Sequence, residues 1–355
     1  MESEKILCVG NWESDVGYAW WLMERFWKAI AERYPGRVTI CYKKLTTVPK
    51  HLTDTDAQFL EYDFDINRTD ITDFVRQHGF RHLYLTDKPY LSLAYAKLRW
   101  AGVKTIVMHD HMPGERTEPS GIRRILKTAA GRVRPWGADA YIAVSELGMR
   151  RFARSCCLPA ERCHLALNGV DLSLNPKPVD IRAELGIPAD SFVVVSSGRV
   201  TRYKGVQHIV SASRIAAAHF VHCGDGPDLT ELRAQAPANM HFLGKRSDVP
   251  GILASANAAV HASSGEGLSL SILEFMRAGL PIILPNSVTV AQSVQRGVSA
   301  LLYDDPAELP HLVTKLMSEP ELRASLGAAA RDHVKRYNIE HTIESVLSVF
   351  STLRV

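Results

Sequence analysis

At 355 residues the chain exceeds the size at which one hydrophobic core keeps growing, so two domains are expected. Hydrophobic residues make up 46% and charged residues 23%, as in globular proteins, and no apolar run approaches the ~18–20 residues of a membrane-spanning helix. The net charge of +4 is uneven: residues 1–170 carry 25 Lys/Arg against 20 Asp/Glu (+5), the remainder 17 against 18 (−1). That front-half excess suits an anionic partner or a membrane surface and is too small to indicate nucleic acid. The opening "MESEKILCVG" has neither the basic nor the apolar region of a signal peptide, so a cytoplasmic protein is expected. Cys8, Cys41, Cys156, Cys157, Cys163 and Cys223 show no repeated spacing and no CxxC pair, which favours reduced thiols over a disulfide framework or a zinc site.

In chain order, short Val- and Ile-rich runs alternate with helix-length segments. "KILCVG", "RVTICYK", "HLYLT", "KTIVMHD", "AYIAVS" and "CHLAL" come first; "SFVVVSSGR", "HFVHCG", "MHFLG", "AAVHA", "PIILPN" and "ALLYD" follow a Pro-, Asn- and Asp-rich break near residues 168–190. Continuously apolar strands separated by helices indicate parallel sheets covered on both faces. The fold expected is therefore α/β, with two Rossmann-like doubly wound domains facing a cleft. They cover residues 1–167 and 168–336, with a C-terminal helix over 337–355 crossing back to the first. Ligands of such sheets bind at the carboxyl ends of strands, so chemistry is sought in the strand-end loops.

The first loop, "GNWESDVGYAWW", holds Gly10 and Gly17, and the aromatic helix "YAWWLMERFW" beyond it reads as core. "TDTD" (53–56) and "DFD" (63–65) mimic metal-binding aspartates but lie in polar loops and read as solvated acids. His109 and His111 end the strand "IVMHDH"; a strand-end histidine serves either packing or chemistry. Residues 116–136 carry six basic side chains and one acid. Ile122, Ile125, Leu126 and Ala129 share one helical face, which suits a membrane-surface helix and an ordinary amphipathic domain helix equally.

In the second half, "SSGRVTRYKG" turns at Gly198 and places Arg199 and Lys204 before a helix. A guanidinium fork and an ammonium point charge there form a diphosphate clamp, unless the loop is only a solvated basic turn. "CGDGPD" offers Gly224 and Gly226, where a flat base or ribose could approach the backbone. "SSGEGLSLSILEFMRAGLPIILPN" runs from a strand through a Gly-Glu-Gly turn into a helix closed by Gly279. Backbone N–H groups of Gly267, Leu268 and Ser269 would meet an anion at that helix start, with Glu266 and Glu274 accepting from hydroxyls. The alternative is a pair of structural acids, Glu274 pairing with Arg277 and Glu266 capping the turn.

These segments together resemble family-4 glycosyltransferases of the GT-B fold over nearly all of residues 165–350. The most specific elements are the two glutamates eight positions apart and the Asn-Gly-Val-Asp at 168–171. The resemblance implies a retaining, metal-independent hexosyltransferase. Glu266 faces the donor sugar, Glu274 the ribose, and Arg199 and Lys204 the diphosphate, while Gly224, Gly226 and Leu243 of "FLGKR" border the base. His109 stands beside the transferred sugar, with His111 as the second choice. No cofactor or metal is expected, and the partners implied are a nucleotide sugar (UDP-sugar first, GDP-sugar second) and a glycan or lipid-linked acceptor. The implied role is cell-surface polysaccharide or glycolipid synthesis, with peripheral contact at the inner membrane face through segment 116–134 and no nucleic acid. The first loop lacks the adjacent glycine pair usual in that family. The alternatives are an epimerase or phosphorylase of the same fold, or a non-catalytic nucleotide-sugar-binding partner. A nicotinamide-dependent oxidoreductase fits poorly, because "GNWESDVG" stands where Gly-x-Gly-x-x-Gly would follow strand one.

Overall fold

The computed structural model describes residues 4–14, 21–113 and 116–355. They divide into two compact units, one reaching Leu167 and taking back Glu340–Val355, the other spanning Asn168–Ile339.

In the first unit, β1 (Lys5–Val9), β2 (Val38–Tyr42), β3 (Gln58–Glu61), β4 (Phe80–Thr86), β5 (Thr105–Asp110), β6 (Ala140–Ala143) and β7 (Cys163–Leu165) form one sheet. Its order is β3-β2-β1-β4-β5-β6-β7, and every pairing is parallel. Strands β2, β5 and β6 are buried at every position, as apolar runs covered on both faces require. The strand absent from the sequence reading is β3, an edge strand whose Gln58 and Glu61 are exposed. Between the strands lie α1 (Trp21–Arg33), α2 (Ile71–His78), α3 (Leu93–Trp100), α4 (Gly121–Arg132) and α5 (Glu146–Arg154). Ser92 and Ser145 start α3 and α5 by accepting from Ala94 N–H and Gly148 N–H, and Gly79, at φ +73°, closes α2.

The second unit holds the short helix α6 (Ile181–Leu185) and then β8 (Val193–Ser197), α7 (Val206–Ser213), β9 (His219–Cys223), α8 (Leu229–Gln235), β10 (Met240–Gly244), α9 (Val249–Leu253), β11 (Ala258–Val260), α10 (Leu270–Ala278), β12 (Ile282–Pro285) and β13 (Ala300–Tyr303). Helices α11 (Leu309–Ser318) and α12 (Pro320–His333) complete it. The order β10-β9-β8-β11-β12-β13, again all parallel, reverses direction between β8 and β11. That switch point is where an open parallel sheet leaves a crevice beyond its strand ends. The loops after β8 and β11 are the two that flank it.

The last helix, α13 (Ile339–Thr352), starts from a seam in the second unit, where Val170 N–H donates to Tyr337 O (2.8 Å) and Ile339 N–H to Val170 O (3.1 Å). It then packs on the first unit: Phe350 lies 5.6 Å from the Tyr84 ring, Thr342 Oγ1 donates to Leu167 O at 2.7 Å, and Glu340 pairs with Arg25 at 3.1 Å.

Candidate functional site

The β8 loop is shaped by two glycines. Gly198 turns at φ +140° and exposes Arg199, which makes no ion pair among the described residues. Thr201 then caps a 3-10 turn, Arg202–Lys204, and Gly205 follows at φ +70°. A Cβ at Gly205 would stand 2.0 Å from Ala262 O, so only glycine lets this loop lie against the residues after β11. Tyr203 O accepts from Ser264 N–H (2.9 Å) and from Ser264 Oγ (2.7 Å), tying the two loops together.

That contact brings Lys204 Nζ to 2.7 Å from Glu266 Oε1, and His261 Nε2 reaches the same oxygen at 2.8 Å. Glu266 is buried. Burial alone would raise its pKa, but the hydrogen bonds and charges of His261 and Lys204 bring it down to about 2, so it is ionised at neutral pH.

Helix α10 begins directly after this carboxylate. Its N-cap Ser269 makes no side-chain cap bond, and the N–H groups of Glu266, Gly267, Leu268 and Ser269 have no partner among the described residues. The carbonyls on the other side of those peptides are held. Gln292 Nε2 donates to Gly267 O at 2.6 Å and Asn168 Nδ2 to Leu268 O at 2.8 Å. Because a trans peptide points its C=O and N–H in opposite directions, these two bonds also aim the N–H groups of Leu268 and Ser269. Unpaired amides at a helix N-terminus form an anion site, and α10 adds its dipole. Glu274, one turn beyond the helix start, is buried on α10.

Under the Gly198 turn lies His222, whose Nδ1 is 2.7 Å from Ser196 Oγ and whose Nε2 is 3.0 Å from Gly198 O. Burial pushes its pKa down to about 4 against the pull of the Gly198 carbonyl, with the charge of His261 adding a little. The neutral ring therefore donates from Nε2 to Gly198 O and accepts from the Ser196 hydroxyl. Gly224 and Gly226 pack here too: a Cβ would stand 1.9 Å from Gly198 O or 2.3 Å from Val200 O, respectively. The space their missing side chains leave is filled by the first loop, so backbone packing already requires both glycines. Leu243, on β10, is half-buried, and Gly244 O accepts from Gly224 N–H at 2.8 Å.

In the first unit, His109 is fully buried on β5, with Nδ1 2.5 Å from Tyr84 Oη, its ring stacked on Phe26, and Nε2 without a partner among the described residues. Burial and the neighbouring His111, 4.3 Å away between ring centres, hold it well below the usual histidine range. Asp110 is committed elsewhere, to a buried pair with Arg151 and a 2.9 Å bond from Tyr90. Gly10 N–H donates to Cys41 O at 2.8 Å, whereas Gly17 lies outside the described residues. The loop acids have local partners: Asp54 binds Lys28, Asp56 accepts from Gly36 N–H, Asp63 faces Lys43 and Asp65 accepts from Asn67.

Sequence reasoning placed Arg199, Lys204, Glu266, the amides of 267–269 and Glu274 around one helix start, and the structure brings Lys204 to Glu266 there, while Gly198 packs on His222 and Gly224. His261, His222, Asn168 as a side-chain clamp, and Gln292 were missed. His261, five residues before Glu266 at the end of a buried strand, was the one local signal available.

Residues 179–333, all within the second unit, match the model of the family described as glycosyl transferases group 1. Over 244 residues the chain is 28% identical to alpha-maltose-1-phosphate synthase of Mycolicibacterium smegmatis, an alignment covering 60% of this chain and 63% of that protein. It is also 28% identical to the lipopolysaccharide core biosynthesis glycosyltransferase LpsD of Rhizobium meliloti, over 49% of this chain and 54% of LpsD. The alignments thus span between half and two thirds of these relatives. Among solved structures, Anabaena HepE in complex with UDP-glucose superposes with a TM-score of 0.74 at 20% identity, covering 98% of this chain and 99% of HepE. The two parallel α/β units have the GT-B fold of such neighbours.

Proposed function

We propose that the protein is a retaining glycosyltransferase, moving a hexose from a nucleoside diphosphate sugar to a glycan or lipid-linked acceptor in cell-surface polysaccharide or glycolipid synthesis. UDP-sugar is the first donor expected and GDP-sugar the second. It would act in the cytoplasm, at the inner face of the membrane.

The observation that carries this reading is the start of α10. Unpaired amides of residues 266–269 adjoin Lys204 and an ionised Glu266, with Arg199 bare on the neighbouring loop. A diphosphate satisfies the amides and both cations, and the carboxylates of Glu266 and Glu274 accept from sugar and ribose hydroxyls. As the donor bond breaks, negative charge grows on the departing diphosphate, where Arg199, Lys204 and the helix dipole stabilise it. The acceptor hydroxyl attacks from the face the diphosphate leaves, and its proton passes to a diphosphate oxygen. His109 and His111 are assigned to the sugar side.

Two cations and a helix terminus suffice for that charge, so transfer should persist in excess EDTA; a strict magnesium or manganese requirement would refute this mechanism. Incubation with UDP-glucose and GDP-mannose, followed by mass spectrometry for free nucleoside diphosphate and for glycosylated product, tests the activity. Release of neither diphosphate from any nucleotide sugar, with or without acceptor extracts, would favour a non-catalytic binder.

A further inference from the structure

Helix α4 turns its apolar stripe toward solvent. Ile122, Ile125, Leu126 and Ala129 recur at the spacing of one helical face, the face that a sheet-covering helix normally buries. Here Ile122, Ile125 and Leu126 are 66%, 64% and 62% exposed, and the one buried residue of the helix is Gly131. The helix is seated by that small residue, where a Cβ would stand 3.0 Å from Cys157 O, and by Lys127, whose Nζ donates to Ser155 O at 2.6 Å. Both anchors fix the orientation that leaves the isoleucines outside.

The exposed apolar surface continues beyond α4. The 3-10 turn Arg134–Trp136 follows it, with Trp136 40% exposed, and α3 is tied to the same turn. Ser92 N–H donates to Trp136 O (2.8 Å), and Arg99 Nη2 to Gly137 O (2.9 Å). Helix α3 exposes Leu93 and Trp100, at 67% and 84%. Since α3 links β4 to β5 and α4 links β5 to β6 in the same direction, right-handed crossovers put both helices on one face of the sheet. Six of the twelve large hydrophobic side chains exposed among the described residues thus belong to residues 93–136, which makes this a patch rather than scatter. Arg123 and Arg132 stand exposed on the two flanks of that stripe, without an ion pair among the described residues, while Glu118 faces Arg154 at 3.8 Å.

We propose that this face docks the protein on an anionic membrane surface, the apolar side chains entering the headgroup boundary and the arginines meeting lipid phosphates. The bare arginines select that occupant: a second copy apposed on the same face would set Arg123 and Arg132 against like charge. No helix among the described residues is long and apolar enough to cross a membrane, so the contact lies on the surface. The proposal deepens the reading of the acceptor as lipid-linked, but it rests on its own surface.

Vesicle flotation at low salt tests it, using phosphatidylcholine vesicles with and without phosphatidylglycerol and no donor or acceptor. The protein floats with the anionic vesicles and not with the neutral ones, and added salt releases it. Changing Ile125→Asp together with Leu126→Asp lowers partition at least about tenfold, and Arg123→Gln and Arg132→Gln each lower it about fivefold. Circular dichroism and the shift in Tm with UDP stay at wild-type values in all these variants, so folding and donor binding are read separately from docking. Failure to float with anionic vesicles, equal flotation with neutral ones, or undiminished flotation of the aspartate variant overturns the proposal. A dimer in sedimentation that the aspartate variant dissolves would also overturn it, by giving the face to a second copy.

Discussion

Lys204 donates to Glu266 Oε1 over 2.7 Å, across 62 residues of sequence, and joins the two loops at the β8–β11 switch point. Any diphosphate that takes Lys204 must share it with this carboxylate. Replacing Glu266→Gln removes the competing charge, so affinity for free nucleoside diphosphate should stay level or rise, while the nucleotide sugar loses about 1–3 kcal/mol with the contact to its hydroxyls. Lys204→Ala should instead lower kcat by about 100-fold or more with the fold intact. Calorimetric titration of both ligands, with single-turnover kinetics, checks the pair. A Glu266→Gln protein that lost affinity for free nucleoside diphosphate as severely as for the nucleotide sugar would show that this carboxylate serves the ribose end.

Glu274 is assigned to that ribose end. Its conversion to Gln should weaken nucleoside diphosphate and nucleotide sugar equally, by about 1–3 kcal/mol, because the ribose is common to both. Loss confined to the nucleotide sugar would exchange the roles of the two glutamates.

Buried groups set an acid limit to stability, among them His222 and Glu266 in the second unit and His109 in the first. The pKa of His222 is about 4 in the folded chain against an ordinary 6.5. The unfolded chain therefore binds the extra proton between those values, and stability falls as pH drops through that window, by up to ~3 kcal/mol. Glu266, lowered from 4.5 to about 2, adds a second loss of similar size as pH falls through its own window. Urea midpoints measured from neutral pH down to about 3 should show a decline that His222→Asn makes shallower above pH about 4, leaving the share of His109. A wild-type midpoint constant across the upper window would contradict the buried, neutral His222.

Gly205→Ala should cost about 1–3 kcal/mol and abolish measurable donor binding, because the new Cβ meets the Ala262 carbonyl at φ +70° and separates the loops. Gly36→Ala is the control: it shares φ +70° but meets nothing within 4 Å, so it should lose only about 1 kcal/mol and bind donor normally. Equal donor affinity in the two variants would mean the Gly205 contact does not shape the site.

Twelve of the thirteen strands could be read from sequence because a strand buried on both faces is a continuous apolar run. The exception, β3, is half-exposed, and "QFLE" carries no such run. Arg199, Lys204 and Glu266 stand out in the sequence because each lies between a strand and the next helix, and Glu274 because it follows one turn into α10. Asn168 and Gln292 were not, since their partners Leu268 and Gly267 lie 100 and 25 residues away and pattern reports only local faces. Helix α4 shows the same limit: its amphipathic spacing was evident, but only tertiary packing at Gly131 decides that the apolar side faces out.

The start of α10 and the β8 loop are proposed to bind a nucleoside diphosphate. Thermal unfolding of the wild type, Arg199→Ala and Lys204→Ala with UDP, GDP, ADP and inorganic phosphate tests it most directly, since a ligand of the folded state raises Tm with its concentration. UDP, or failing that GDP, should raise the wild-type Tm well beyond phosphate, and both variants should lose most of the rise. An unchanged Tm with every nucleoside diphosphate, or a rise equal in all three proteins, would contradict it.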